Sequence, residues 1–101
     1  MIKHIVHFQL AESAEGKTKA ENALRIKKEL EELKGIIPQI ITLEVGVNLP
    51  DAPTTNFDLV IYSEFASMED LSIYNGHPAH QKVVEFIGKV RTARTCVDYE
   101  V

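Results

Sequence analysis

The sequence predicts an α+β protein in which one four-stranded antiparallel sheet carries its helices on a single face. Three observations predict it. Four stretches alternate apolar and polar residues with the period of a strand, two stretches repeat apolar residues with the period of a helix, and their order is β-α-β-β-α-β. Chain length allows one core only: 101 residues with 45% hydrophobic content form a single domain over 1–101, burying roughly 60–68% of the unfolded surface.

The first strand runs through Lys3 to Leu10, with Ile2, His4, Val6, Phe8 and Leu10 on one face and Lys3, Ile5, His7 and Gln9 on the other. His4 and His7 therefore point to opposite sides and cannot share an ion. Ala11 to Gly16 is a polar connection. The helix that follows extends to Lys34, buries Ala23, Ile26, Leu30, Leu33 and then Ile37, and ends at Gly35 before Pro38. Its lysines and glutamates, mixed in sign, form a solvated face.

Ile40 to Asn48 is the second strand, with Ile41, Leu43, Val45 and Val47 inward. Leu49 to Asn56 holds Pro50, Asp51, Pro53 and Asn56, the punctuation of a loop, and is the candidate lid or pocket rim. Phe57 to Phe65 is the third strand. Ser67 caps a short helix from Met68 to Tyr74, which Asn75-Gly76 should break by adopting positive φ. Pro78 then opens the second long helix, where His80, Val83, Val84 and Ile87 fall on one stripe that turns His80 inward. Ala93 to Glu100 is the fourth strand, its Thr95, Val97 and Tyr99 opposed to Arg94, Cys96 and Asp98.

Two helices cover one face of such a sheet. The other face would expose Ile5, His7, Val60, Tyr62 and Cys96, which is too apolar for water, so two copies packed face to face into a barrel are expected, a twofold homodimer. Fifteen acidic against eleven basic residues give a net charge of −4. With no basic cluster interleaved with aromatics, nucleic acid is not an expected partner. No export signal or apolar run of membrane-spanning length is visible, and the single cysteine excludes an internal disulfide; both suit the cytoplasm.

The chemistry-bearing residues gather near the second long helix. An imidazole at His80 is either a core group satisfied by a neighbour or an acid–base group lining a cavity, and Tyr74 could bring its hydroxyl to the same place. His77 belongs at the helix cap. His77 and His80 have the spacing of a metal pair, but nothing completes a ligand set, and no metal is expected. Asp58 and Glu64 read as exposed polar groups rather than a catalytic pair, and Cys96 as a small buried apolar residue.

The start Ile2-Lys3-His4-Ile5-Val6-His7-Phe8, the segments Leu43 to Asn48 and Phe57 to Val60 with Glu64-Phe65, the motif His77-Pro78-Ala79-His80 and the ending Val97-Asp98-Tyr99 resemble the stress-responsive A/B barrel domain family over nearly the whole chain. The resemblance implies a ferredoxin-like protomer and a dimeric α/β barrel. A plant branch of that family comprises polyketide cyclases that close linear tetraketides by aldol condensation. Its acid–base histidine falls on His80, the tyrosine partner on Tyr74 and a further pocket histidine on His4. Another pocket histidine of that branch falls on Leu59, where this sequence departs from its pattern. Other plant members are heat-tolerant oligomers associated with stress.

Three functions compete. The first is a cofactor-free enzyme or binder of a small, largely apolar carbonyl compound held between sheet and helices, with His80 and Tyr74 as acid and base and His4, Leu59, Ile61, Val84 and Ile87 lining the site. The second is a non-enzymatic, stress-related structural dimer, which would leave no cavity beneath the helix. The third, by architecture alone, is an activity like the cofactorless monooxygenases and isomerases of neighbouring dimeric α/β barrels.

Overall fold

A computed structural model describes residues 1–101. In chain order the elements are β1 (Ile2–Leu10), β2 (Ser13–Ala14), β3 (Lys17–Thr18), α1 (Lys19–Glu32) continued by a 3₁₀ turn (Leu33–Gly35), β4 (Thr42–Val47), β5 (Leu59–Phe65), α2 (Met68–Gly76), α3 (Pro78–Val90) and β6 (Arg91–Glu100). The sheet order is β4-β5-β1-β6, with every neighbouring pair antiparallel. This is the expected ferredoxin-like α+β fold, and no helix is long and apolar enough to cross a membrane.

Alternation decides which side of each strand is buried. Ile2, His4, Val6, Phe8 and Leu10 of β1 and Leu59, Ile61, Ser63 and Phe65 of β5 face the helices and are buried. Leu43 and Val45 of β4 join them, but Ile41 and Val47, expected on the same face, are exposed where the edge strand runs out beyond its cover. From α1 come Ala23, Ile26 and Leu30, and from α3 Val83, Phe86, Ile87 and Val90. Together they form one core cluster of 20 buried residues.

Several local features differ from the sequence reading. The polar connection after β1 is a small hairpin: Glu15 (φ 52°) and Gly16 (φ 74°) both take positive φ, the pattern of a tight primed turn joining β2 to β3. Asn75 and Gly76 do not break α2. They complete its last turn without positive φ, and the break falls at His77, whose extended backbone (φ −67°, ψ 134°) ends α2 and begins α3. Cys96 lies opposite Val6 in the β1–β6 register, hence on the helix-covered side rather than the open one. Lys27 and Glu31 are not purely solvated. The Lys27 Nζ donates to the Val45 carbonyl (2.6 Å) while the Val45 N–H donates to Glu31 Oε2 (3.2 Å), so this pair satisfies the outward backbone groups of edge strand β4.

Asp58 is half-buried. Its Oδ2 accepts from the Leu10 N–H at 2.8 Å and its Oδ1 lies 3.5 Å from Lys19 Nζ, so it pins the end of β1 to α1. The open face carries Ile5, Val60, Tyr62, Val97 and Tyr99 among polar groups, and Tyr62 there donates to Glu64 at 2.8 Å.

Candidate active site

The cavity at the centre of the site follows from how α3 begins. Because His77 interrupts the helical backbone, its Nδ1 takes the N–H of Ala79 (3.0 Å), while Pro78 has no N–H to give. The Asn75 carbonyl thus loses both of its ordinary helical donors. It is used instead by His80 Nδ1 (3.1 Å) and by the Gln81 amide. A carbonyl can only accept, so Nδ1 of His80 carries a proton and the lone pair of the neutral ring sits on Nε2. Burial pushes the pKa of His80 below its ordinary value against the opposing pull of the Asn75 carbonyl, with His4, His77 and Arg94 adding repulsion. The ring is neutral at pH 7.

Tyr74, on the last turns of α2, lies beside it, with ring centroids 4.2 Å apart and planes tilted by 37°. The rings stack, and no hydrogen bond joins the phenol to the imidazole. Tyr74 is buried, yet its hydroxyl is without a protein partner, and no fully buried side-chain polar atom in the chain lacks one. Its oxygen therefore reaches the cavity. Desolvation drives the phenol pKa well above its usual value, so the group stays protonated as a donor.

His4 closes the group from the sheet. It is buried, makes an edge contact with Tyr74 (6.4 Å between centroids) and hydrogen-bonds through Nδ1 to Asp98 Oδ1. The β1–β6 register sets this pair, since His4 stands directly opposite Asp98. Cys96 Sγ lies 3.6 Å from His4 Nδ1 and 3.6 Å from Asp98 Oδ1. These three donor atoms are within 4.8 Å of one another, close enough to hold a metal ion, but only by displacing the proton already shared between His4 and Asp98. Burial raises the pKa of Cys96, with the Asp98 carboxylate adding to the effect, so its thiol stays protonated and is a poor ligand as it stands.

His80, Tyr74 and His4 all border one cavity of about 490 Å³ between α3 and the sheet, floored by Val6, Phe8 and Ile61. Of the remaining sequence candidates, Ile61, Val84 and Ile87 also line it. Val84 is exposed, not core, because the cavity opens on its side and Phe86 takes the place in the core that the predicted stripe gave to Val84. Leu59 does not line this cavity: it is buried further along β5 and borders a different hollow, of about 450 Å³. His80 accordingly sits half-buried at a wall, not deep in the interior. The 49–56 loop borders two other hollows, of about 450 and 590 Å³, the first shared with His7, and does not line the cavity of His4 and His80. Sequence reasoning missed Asn75, whose carbonyl holds the ring of His80, and Gln81, which donates to that same carbonyl, as well as Asp98, Arg91 and Arg94. Asp98 was detectable from the alternation that puts it on the same face as Cys96 and Arg94, once the pairing with β1 is known.

The sequence profile of the stress responsive A/B barrel domain matches residues 2–101. No curated protein is similar enough in sequence to count as a relative. Among solved structures, a dimeric protein of unknown function with a ferredoxin-like fold from Bacteroides fragilis is 32% identical, covers 99% of this chain and 95% of its own, and superposes with a TM-score of 0.82. A hydroxynitrile lyase from Passiflora edulis is 16% identical over 97% of this chain and 90% of its own, with a TM-score of 0.75. An antibiotic biosynthesis monooxygenase is 20% identical over 100% and 98%, also with a TM-score of 0.75. At those identities the last two share the fold alone. A profile that spans the chain from its second residue to its last settles the family: the protein belongs to the stress responsive A/B barrel domain family.

Proposed function

We propose that the protein binds, and by cofactor-free acid–base chemistry converts, a small, largely apolar carbonyl compound in the cavity beneath α3. One observation carries this reading: His80, Tyr74 and His4, drawn from α3, α2 and β1, converge on a single cavity of about 490 Å³ with an apolar floor. A merely structural role for the histidines would leave that space filled.

The roles follow from the protonation states. His80 is neutral with its proton on Nδ1, so Nε2 is the base that removes a proton α to the carbonyl. Tyr74 keeps its proton and donates a hydrogen bond to the oxygen as negative charge develops there. Asp98 holds His4 in one tautomer and orientation, leaving the second ring nitrogen of His4 for the leaving or arriving proton. Proton transfer of this kind contributes roughly 10² to 10⁴ in rate. Enolate formation followed by carbon–carbon bond closure, as in an aldol cyclisation, needs no further group.

The test is proton exchange. Incubated in D₂O with 2-nonanone, the protein should accelerate deuterium incorporation at the α carbons, and His80→Gln should remove most of that acceleration. Absence of any shift in the His80 ring signals across a panel of such ketones would overturn the reading.

We also propose that the working unit is a homodimer closed through the open sheet face, in line with the apolar side chains there and with the dimeric Bacteroides fragilis neighbour.

A further inference from the structure

Arg91 and Arg94 are three residues apart, an odd separation that sends side chains of a regular strand to opposite faces. Here they share a face. Phe8 is paired with Arg94 and Gln9 with Ala93, but Leu10 is paired with Arg91, so the register shifts by one residue between Gln9 and Leu10 and the extra residue restores Arg91 to the helix side. Both arginines therefore line the histidine cavity, Arg91 at the end of α3 and Arg94 three residues into β6.

Their charge is unanswered. The ion pairs of the chain engage His4, Lys19, Arg25 and Lys27, and neither Arg91 nor Arg94 has an acidic partner. No aspartate or glutamate lines the cavity. In a chain of net charge −4, a hollow bordered by two unpaired guanidinium groups and no carboxylate is a local reversal of sign. Guanidinium groups suit a planar carboxylate, and the apolar floor of Val6, Phe8 and Ile61 suits a hydrocarbon chain attached to it.

We propose that the cavity selects oxo-carboxylic acids, with Arg91 and Arg94 holding the carboxylate at the β6 side while the ketone faces the Tyr74 hydroxyl and the free Nε2 of His80. This deepens the function proposed above and depends on it for the ligand's carbonyl. Arg91 and Arg94 are specificity-determining residues: they set which carbonyl compound enters and take no part in moving the proton.

The experiment is an NMR titration with three probes, 4-oxononanoate, its methyl ester and octyl phosphate, followed at the His80 and Tyr74 ring signals. The acid should bind roughly ten-fold more tightly than the ester, with an advantage that shrinks as salt is raised. Arg94→Gln and Arg91→Gln should each cut that ratio and the double variant should bring it near one, leaving the affinity for the ester unchanged. Both residues are exposed and outside the core, and retained binding of the ester reports that each variant is folded. Equal binding of acid and ester overturns the proposal and leaves the carbonyl pocket standing. Tighter binding of octyl phosphate than of the acid overturns the assignment to carboxylates. A wild-type protein that binds none of the three overturns both proposals together.

Discussion

His80 shows how one residue's protonation couples to the stability of the whole. Its folded pKa is lowered by burial, whereas the unfolded imidazole titrates near 6.5, so between those two values the unfolded chain binds more protons. Stability is therefore fully present above about 6.5 and falls as the pH drops through that window. Urea midpoints measured at neutral and mildly acidic pH should fall on acidification in the wild type and fall less in His80→Gln, while identical slopes would contradict the burial. Tyr74→Phe separates chemistry from folding. Its hydroxyl bonds to nothing in the protein, so the variant should unfold within about 0.5 kcal/mol of the wild type. Its α-exchange rate should drop by roughly 10², the size of losing one preorganised donor. At this scale the sequence was readable in part. The place of Tyr74 just ahead of the break pointed to its lying near His80, and the two rings are in contact, but no pattern within α3 could reveal that Asn75 would hold the imidazole, because that contact depends on where α2 ends. Leu59 was misplaced for the opposite reason: the residues of β5 alternate regularly, and only the extent of the cavity separates Ile61 from it.

At the level of elements, periodicity was enough for the strands and the long helices, and failed where side chains replace backbone partners. The 3.6-residue repeat identified the buried side of α1 through Ile26 and Leu30, yet Lys27 and Glu31 looked like an ordinary charged pair four residues apart. Their second role, closing the edge of β4 at Val45, is a long-range fact with no local trace. Glu31→Ala removes the acceptor for the Val45 N–H and the partner of Lys27. Because the pair is about one-third exposed, the loss should be about 1 kcal/mol. Hydrogen exchange should show it as faster exchange of the Val45 amide, with the amides of β1 and β5 slowed or hastened only by the global change. The short hairpin of β2 and β3 escaped notice because Glu15 is an unusual occupant of a positive-φ position, where asparagine or glycine would have signalled the turn.

For the molecule as a whole, the sheet is covered on one side only. Val97 is 61% exposed and Tyr99 41%, side by side with Ile5 and Tyr62 on the bare face. Val97→Asp would place a charge on the β6 flank of any face-to-face assembly, opposite Ile5 of β1. Sedimentation should then find a monomer with unchanged far-UV circular dichroism, where the wild type sediments as a dimer; a wild type that is already monomeric would refute the assembly. That this face would be left bare and partly apolar was legible from the alternation of the strands, though Cys96 was assigned to the wrong side because the alternation of β6 alone does not say which side meets the helices.

The joint at His77 has a consequence for the lineage of such chains. One residue serves as the last cap of α2 and the first of α3, which leaves no slack between them. A single inserted or deleted codon there would put α2 out of phase with α3 by about 100°, so that Tyr74 and Asn75 no longer met the imidazole, which the buried stripe of α3 holds in place. Divergence at this corner must therefore proceed by exchange of letters at constant length, whereas the 49–56 segment, which bears no part of the histidine wall, is free to grow or shrink.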